Sequence, residues 1–540
     1  MGLWTAVSGR PQWPLLIASA CVFLIVLQAP VKYSDSDSSG TLLVSNALLS
    51  TGSIKLDHHG ELDPAGDFRY RQFNGHTYYY FPLGSSVAAL PVVAVGKLFG
   101  LDIVRHNSAI QNFCAALTAA LVFALLLAIA RLYVDAAQAM FYALLFWGGS
   151  ALSSTLGTAY WSHNTAVLFI LAALYLVLRV DRPLSPRVAA LAGFCLFMAY
   201  LSRPTMALGV IATGSLLLLR SRRDFLLLAG MTSGFLALFV VFSLYEFGTV
   251  LPHYYMPGRL KGFEAGLALP GHLISPSRGL FIYSPFLALT LLALPFTRRT
   301  QPRLCYAICL LWFVLHWFSI SLFPDWTGGW SYGPRFMVDV LPGLYLLWLW
   351  TAQGLEGTAA RRVSLLLLLC LPLGWAINVG QGLYNPASKL WNTVERPFDN
   401  VMDWRYPQFL HSARRHQAFR AEHDALRLAQ ASAGQGALRE RQTLLRRIGG
   451  PEPGGAYRIY FNLNWKQGLP DSLTLELASS SLPAEQLRFN NCPVKRVQAL
   501  AEGRWQIDFD PLCVRRGANS LQLPAAISSG QLRKHRLSLD

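Results

Sequence analysis

Two carboxylates lie two residues apart in Tyr33-Ser34-Asp35-Ser36-Asp37-Ser38-Ser39-Gly40, a polar stretch between an apolar run and the helix-like segment Thr41 to Thr51. A helix beginning near Ser38 or Ser39 sets Asp37 beside its N-terminus, where the dipole and free N–H groups favour negative charge. A carboxylate placed there can accept a proton from an acceptor hydroxyl. Plain N-capping in a polar loop is the alternative use. Asp35 and Asp37 together with phosphate oxygens would also suit a hard divalent cation.

Five further clusters carry polar or aromatic residues at the edges of apolar runs. The run Asn74 to Gly84 contains His76, Tyr78, Tyr79 and Tyr80, whose rings suit a sugar or an isoprenoid chain, or an interfacial aromatic belt. Tyr160-Trp161-Ser162-His163-Asn164 and Ser202-Arg203-Pro204 each lie between two apolar runs. Ser275-Pro276-Ser277-Arg278-Gly279 and Asp325 to Arg335, which includes Trp330 and Tyr332, each set an arginine at the start of a helix after a Gly/Ser/Pro loop. A guanidinium near free backbone amides is a phosphate site; a snorkelling anchor is the plainer reading.

These clusters must be positioned by membrane helices. The chain has 540 residues, 53% hydrophobic and only 14% charged, against about a quarter charged in ordinary soluble domains. The shortage falls in the first 380 residues. About eleven spans are expected, near 12–31, 107–131, 134–157, 161–179, 186–202, 204–219, 224–247, 279–297, 303–323, 336–353 and 362–380. Pro82 to Gly100 reads as an interfacial helix. With the N-terminus inside, every short inside loop is basic, as the positive-inside rule requires. The +17 net charge follows from those loops, and no free-standing basic run with interleaved aromatics suggests nucleic acid. The first loop (about 32–106), the loop 248–278 and the tail from 381 then lie outside.

Six cysteines fall in apolar runs and read as small hydrophobes. Cys492 and Cys513 stand apart in the polar tail, where a disulfide agrees with an outside location. Residues 400–447 look helical, and from Gly455 apolar residues alternate as in antiparallel strands. The expected architecture is a mainly α membrane protein: a transmembrane domain over 1–380 with a long periplasmic first loop, a helical connector over 381–448, and a small β domain over 449–540.

The layout resembles the GT-C superfamily of integral-membrane glycosyltransferases, which includes protein O-mannosyltransferases and lipid A aminoarabinose transferases. The resemblance rests on an acidic first outer loop, a helix ending at Leu49-Ser50-Thr51-Gly52, a surface helix ending at Leu98-Phe99-Gly100, and the clusters Ser277-Arg278-Gly279 and Gly329 to Arg335. Aligned on Gly52, the catalytic aspartate of the family falls on Asp37. Many members have a second acid directly after it; this chain has Ser38, so Asp35 is the candidate replacement.

The resemblance implies transfer of a sugar from a polyprenyl-phosphate donor to a hydroxyl of an envelope glycan, lipid or secreted protein, on the periplasmic side of the bacterial inner membrane. Asp37 acts as general base, supported by Asp35. Arg335, Arg278 and Arg203 meet the donor phosphate, and His76, Tyr78, Tyr79, Tyr80, His163, Trp330 and Tyr332 line the path of sugar or lipid. No cofactor is required, although Asp35 and Asp37 leave a divalent cation possible. A polyprenyl-linked sugar flippase and an O-antigen polymerase or ligase are the competing functions.

Overall fold

A computed structural model describes residues 13–393 except 60–61, 63–66, 180–182, 257, 259 and 261–264, then 401–418, and separate stretches between 442 and 539. The chain forms two compact units, Met1–Gly60 with Phe73–Ser412, and Glu61–Gln72 with Ala413–Asp540.

The first unit is helical: α1 (Trp13–Leu27), α2 (Thr41–Thr51), α3 (Gly84–Leu98), α4 (Asn107–Ala130), α5 (Ala136–Gly149), α6 (Ala151–Leu156), α7 (Ser162–Leu178), α8 (Pro186–Ser202), α9 (Ala207–Leu218), α10 (Arg222–Phe247), α11 (Ala265–Ile274), α12 (Leu280–Tyr283), α13 (Pro285–Ala293), α14 (Arg303–Ser321), α15 (Leu341–Gln353) and α16 (Gly357–Trp375). Local chemistry sets many of the ends. Asp135 caps α5 by accepting from the N–H groups of Ala137 and Gln138, and Ser185 caps α8 ahead of Pro186. Gly52 ends α2 in the left-handed conformation at φ 69°.

Among the described residues four helices are long and apolar enough to cross a membrane: Asn107–Ala130, Arg222–Phe247, Arg303–Ser321 and Leu365–Tyr384. The other expected spans fall on shorter helices, and three of their apolar runs are interrupted. The run 134–157 breaks at Ser150, which is extended and caps α6 through Leu152 N–H. The run 279–297 breaks at Ser284-Pro285, where proline supplies no backbone donor. The run 336–353 opens as a 3-10 stretch, Arg335–Val340, before α15 begins.

The core is built around α15, whose residues Leu341 to Thr351 are all buried. An apolar surface on every side lets that helix sit inside the bundle. Tyr345 ties it to α4 through a 2.8 Å hydrogen bond to the Leu126 carbonyl, and packs 4.6 Å, ring to ring, from Phe146 on α5. By contrast α10 buries few side chains and exposes Leu238, Val241 and Tyr245, a surface suited to lipid. Residues through Ser412 belong to this unit. The early part of the expected connector is therefore not one helix: Gln408–Leu410 forms a 3-10 turn, since Pro407 supplies no backbone donor there. Residues 419–441 of that connector lie outside the described residues.

The second unit holds two five-stranded antiparallel sheets. One runs Gln442–Thr443, Arg536–Leu539, Ser472–Glu476, Arg504–Asp508, Arg496–Ala501 in spatial order; the other runs Arg446–Gly449, Tyr457–Leu463, Gly517–Leu523, Arg488–Phe489, Cys492–Pro493. The strands begin at Gln442, ahead of the expected boundary at 449. Alternation puts Ile459, Leu473, Leu475, Ile507 and Leu521 in one core, and Phe489 stacks on Phe509 at 4.0 Å. Cys492 and Cys513 form a disulfide.

Candidate active site

Asp37 opens a 3-10 turn, Asp37–Gly40, that leads directly into α2. Its carboxylate does not act as a cap, and Ser36 at the cap position makes no side-chain capping bond either. Instead Asp37 Oδ2 lies 2.9 Å from Arg335 Nη2 in an ion pair, with the aspartate side chain 25% exposed and the arginine side chain 7%. A partly open carboxylate thus faces a buried guanidinium across an ion pair.

The turn is fixed from its far side. Tyr79 donates its hydroxyl hydrogen to the Asp37 backbone carbonyl, and its ring lies over Gly40, where a Cβ would come within 2.4 Å of ring carbon Cδ2. Asn107 and Gln111 of α4 donate to the Ser39 and Ser34 carbonyls at 3.0 and 3.2 Å. The backbone carrying Asp37 is therefore held from two directions.

Arg335 enters from a loop distant in sequence, just ahead of α15. Its loop needs three left-handed residues, supplied by Gly328 (φ 76°), Gly329 (φ 61°) and Gly333 (φ 66°). The Arg335 guanidinium lies over Trp161 at 4.3 Å and near Phe336 at 5.3 Å, contacts that suit a delocalised cation. Its Nε is buried and meets no hydrogen-bond acceptor among the described residues. This buried N–H calls for an acceptor, and an anionic oxygen is the kind a guanidinium pairs with best.

Gly333 has a second constraint: a Cβ there would approach Tyr283 Cδ1 at 2.9 Å, whereas nothing lies within 4 Å at Gly329. Gly333→Ala is expected to lower the melting midpoint of the detergent-solubilised protein clearly more than Gly329→Ala. The latter carries only the left-handed backbone cost, about 1–2 kcal/mol.

Behind Arg335 lies a cluster centred on Asp339, which is fully buried. His163 Nδ1 meets its Oδ1 at 2.6 Å, while Arg203 Nε and the Thr205 hydroxyl donate to its Oδ2 at 2.5 and 2.9 Å. Arg203 also donates to Ser162 at 3.1 Å and lies 5.7 Å from the Phe336 ring, which has Arg335 5.3 Å away. Arg203 lies in the field of Asp37 as well. Its charge is nonetheless neutralised at contact distance by Asp339, and His163 is oriented by the same carboxylate. Asp339 is not among the residues expected from the sequence. The signal was a lone acid within the apolar run that follows Arg335, where an ionisable group demands a partner.

Arg278 does not offer donors to a phosphate. Its guanidinium is buried and fully used: Nε to Thr327 O at 2.6 Å, Nη1 to Ser277 O and Gln408 Oε1 at 2.9 and 2.6 Å, and Nη2 to Gly329 O and Asn392 Oδ1 at 3.2 and 3.3 Å. Five N–H groups are all a guanidinium has. Tyr332 is likewise internal, donating to Ile377 O at 2.6 Å and packing edge-on to Tyr283, whereas Trp330 is half-exposed.

The aromatic run does not form one wall. His76 pairs with Asp57 at 2.6 Å on an exposed strand end. There the Thr77 N–H, ahead of His76, holds the Asp57 carboxyl below its usual range against partial burial. Tyr78 donates to Glu246 at 2.6 Å. Tyr80 joins Phe81 and Tyr254 in an aromatic group. Asp35 is exposed, and among the described residues no three His, Cys, Asp or Glu side chains come together to hold a metal.

No family model matches the chain, and no curated protein matches it. Among solved structures it is similar to apo ArnT from Cupriavidus metallidurans, at 14% identity over 71% of this chain and 68% of that one, with a TM-score of 0.43. It is similar to the arabinofuranosyltransferase AftD from Mycobacteria at 15% identity over 69% of this chain and 28% of that one, TM-score 0.42. It is similar to the apo oligosaccharyltransferase of Archaeoglobus fulgidus at 11% identity over 74% and 60%, TM-score 0.40.

Proposed function

We propose that the protein is a membrane-embedded glycosyltransferase that moves a sugar from a polyprenyl-phosphate donor to a hydroxyl acceptor at the periplasmic face of the bacterial inner membrane. The observation that carries this reading is the pairing of Asp37, partly open, with Arg335, buried and holding an unsatisfied Nε. The order of motifs in the sequence supports the same reaction class.

In this reading Asp37 takes the proton of the acceptor hydroxyl as its oxygen attacks the anomeric carbon. The bond from that carbon to the phosphate oxygen breaks, and polyprenyl phosphate leaves as an anion with inversion at the sugar. Arg335 stabilises the charge that develops on the leaving oxygen. Asp339 and Arg203 fix Phe336 and His163 behind it. A divalent cation at Asp35 and Asp37 remains open to test by rate measurement in chelator with and without added magnesium, manganese or calcium.

The reading is tested with full-length protein in lipid nanodiscs, a panel of undecaprenyl-phosphate-linked hexose, aminopentose and pentofuranose donors, and an envelope extract as acceptor. Mass spectrometry is expected to show release of undecaprenyl phosphate from one donor, with Arg335→Lys reducing the rate roughly 10²-fold. A panel with no turnover, or a lysine variant at wild-type rate, would refute it.

A further inference from the structure

The loop that aims Arg335 contains three glycines in left-handed conformations, and glycine backbone is costly to immobilise. Something outside the loop must hold it. The hydrogen bonds that Arg278 and Gln408 make to it fall on alternate residues. Arg278 takes the carbonyls of Thr327 and Gly329. Gln408 takes the next two positions: its Nε2 donates to Ser331 O at 3.0 Å, and its Oε1 accepts from Gly333 N–H at 3.1 Å. The same Oε1 accepts from Arg278 Nη1, so one fully buried amide joins both halves of the grip.

Gln408 belongs to the segment after the last span, and that segment is seated along its length. The Val401 carbonyl accepts from Ser275 at 2.5 Å, the Tyr406 carbonyl from Trp391 Nε1 at 2.9 Å, and the His411 carbonyl from Asn385 at 2.9 Å. Phe409 packs edge-on to Tyr283, the ring that also confines Gly333.

We propose that Gln408 is a positioning residue for Arg335: through it, the strap 401–411 sets the Gly328–Gly333 loop and so the place of the guanidinium against Asp37. The proposal rests on the reading of Arg335 as the donor-phosphate residue. Gln408 itself touches no reacting atom; it removes freedom from the loop before substrate arrives, and small displacements of such groups are costly.

The test uses full-length protein in nanodiscs with undecaprenyl phosphate as the probe. Gln408→Leu is expected to weaken binding about tenfold in the wild-type background, and by less than about twofold in an Arg335→Lys background, because its effect passes through Arg335. If the leucine variant does not fold, Gln408→Asn replaces it, keeping an amide but withdrawing it by one methylene, with the same loss of additivity expected. A folded variant that binds as wild type, or one that loses the same factor in both backgrounds, overturns the proposal, since a merely structural role is additive. If Arg335→Lys alone binds the probe undiminished, the proposed function fails and takes this inference with it; a defective lysine variant beside an additive Gln408 effect removes only the inference.

Discussion

Asp37→Asn is expected to leave the protein inserted and folded while cutting transfer roughly 10³-fold. Asp37 is 25% exposed at its ion pair with Arg335, so water reaches this site and losing the charge here costs less than at a fully buried carboxylate. Tyr79 is unaffected, because its bond reaches the Asp37 backbone carbonyl. What is lost is the capacity to accept a proton from an attacking hydroxyl. Donor-turnover assays in nanodiscs, run beside a melting curve, separate the two properties. Retained transfer in a folded Asn variant would remove Asp37 from the chemistry.

Asp339→Asn is expected to act mainly on stability. The aspartate is fully buried and satisfies both Arg203 and His163. Removing its charge strands a buried guanidinium, and breaking such a pair costs about 3–5 kcal/mol. The melting midpoint of the solubilised protein should fall sharply. Adding Arg203→Met should restore much of it, since the stranded cation rather than a missing contact is the cause. A double variant no more stable than the single one would show that attribution to be mistaken.

Much of the fold follows from local pattern. Long apolar runs became α4, α10 and α14, and Gly52 and Gly100 adopt the left-handed turns that their motifs imply. The break at Ser150 was less legible, because this serine looks like an ordinary small residue inside apolar sequence, whereas the break at Ser284 is marked by Pro285. The site shows the same division. Asp37 and Arg335 each stood out by type and local setting, yet their contact joins positions far apart in sequence and no spacing encodes it. Arg278 has the same local signature as Arg335, a guanidinium after a Gly/Ser/Pro loop. They differ in where their donors go: Arg278 spends all five on protein acceptors, and Arg335 keeps Nε open. Tyr79 and Tyr332 were expected beside substrate, but a tyrosine that braces a turn and one that faces a ligand are the same letter.

The strand order of the second unit bears on how the chain is made. Gln442–Thr443 pairs with Arg536–Leu539, and Tyr457–Leu463 pairs with Gly517–Leu523. Tyr457–Leu463 already has Arg446–Gly449 on its other side, but Gln442–Thr443 is left without a neighbour until much later residues are made, and closing such a long loop is slow. The sheet that holds Gln442–Thr443 therefore cannot close before Arg536–Leu539 has been synthesised. During that delay Cys492 and Cys513 are exposed to whatever oxidant the compartment supplies, and the unpaired strands are exposed to aggregation, which makes this unit the point at which a failing chaperone supply would first be felt.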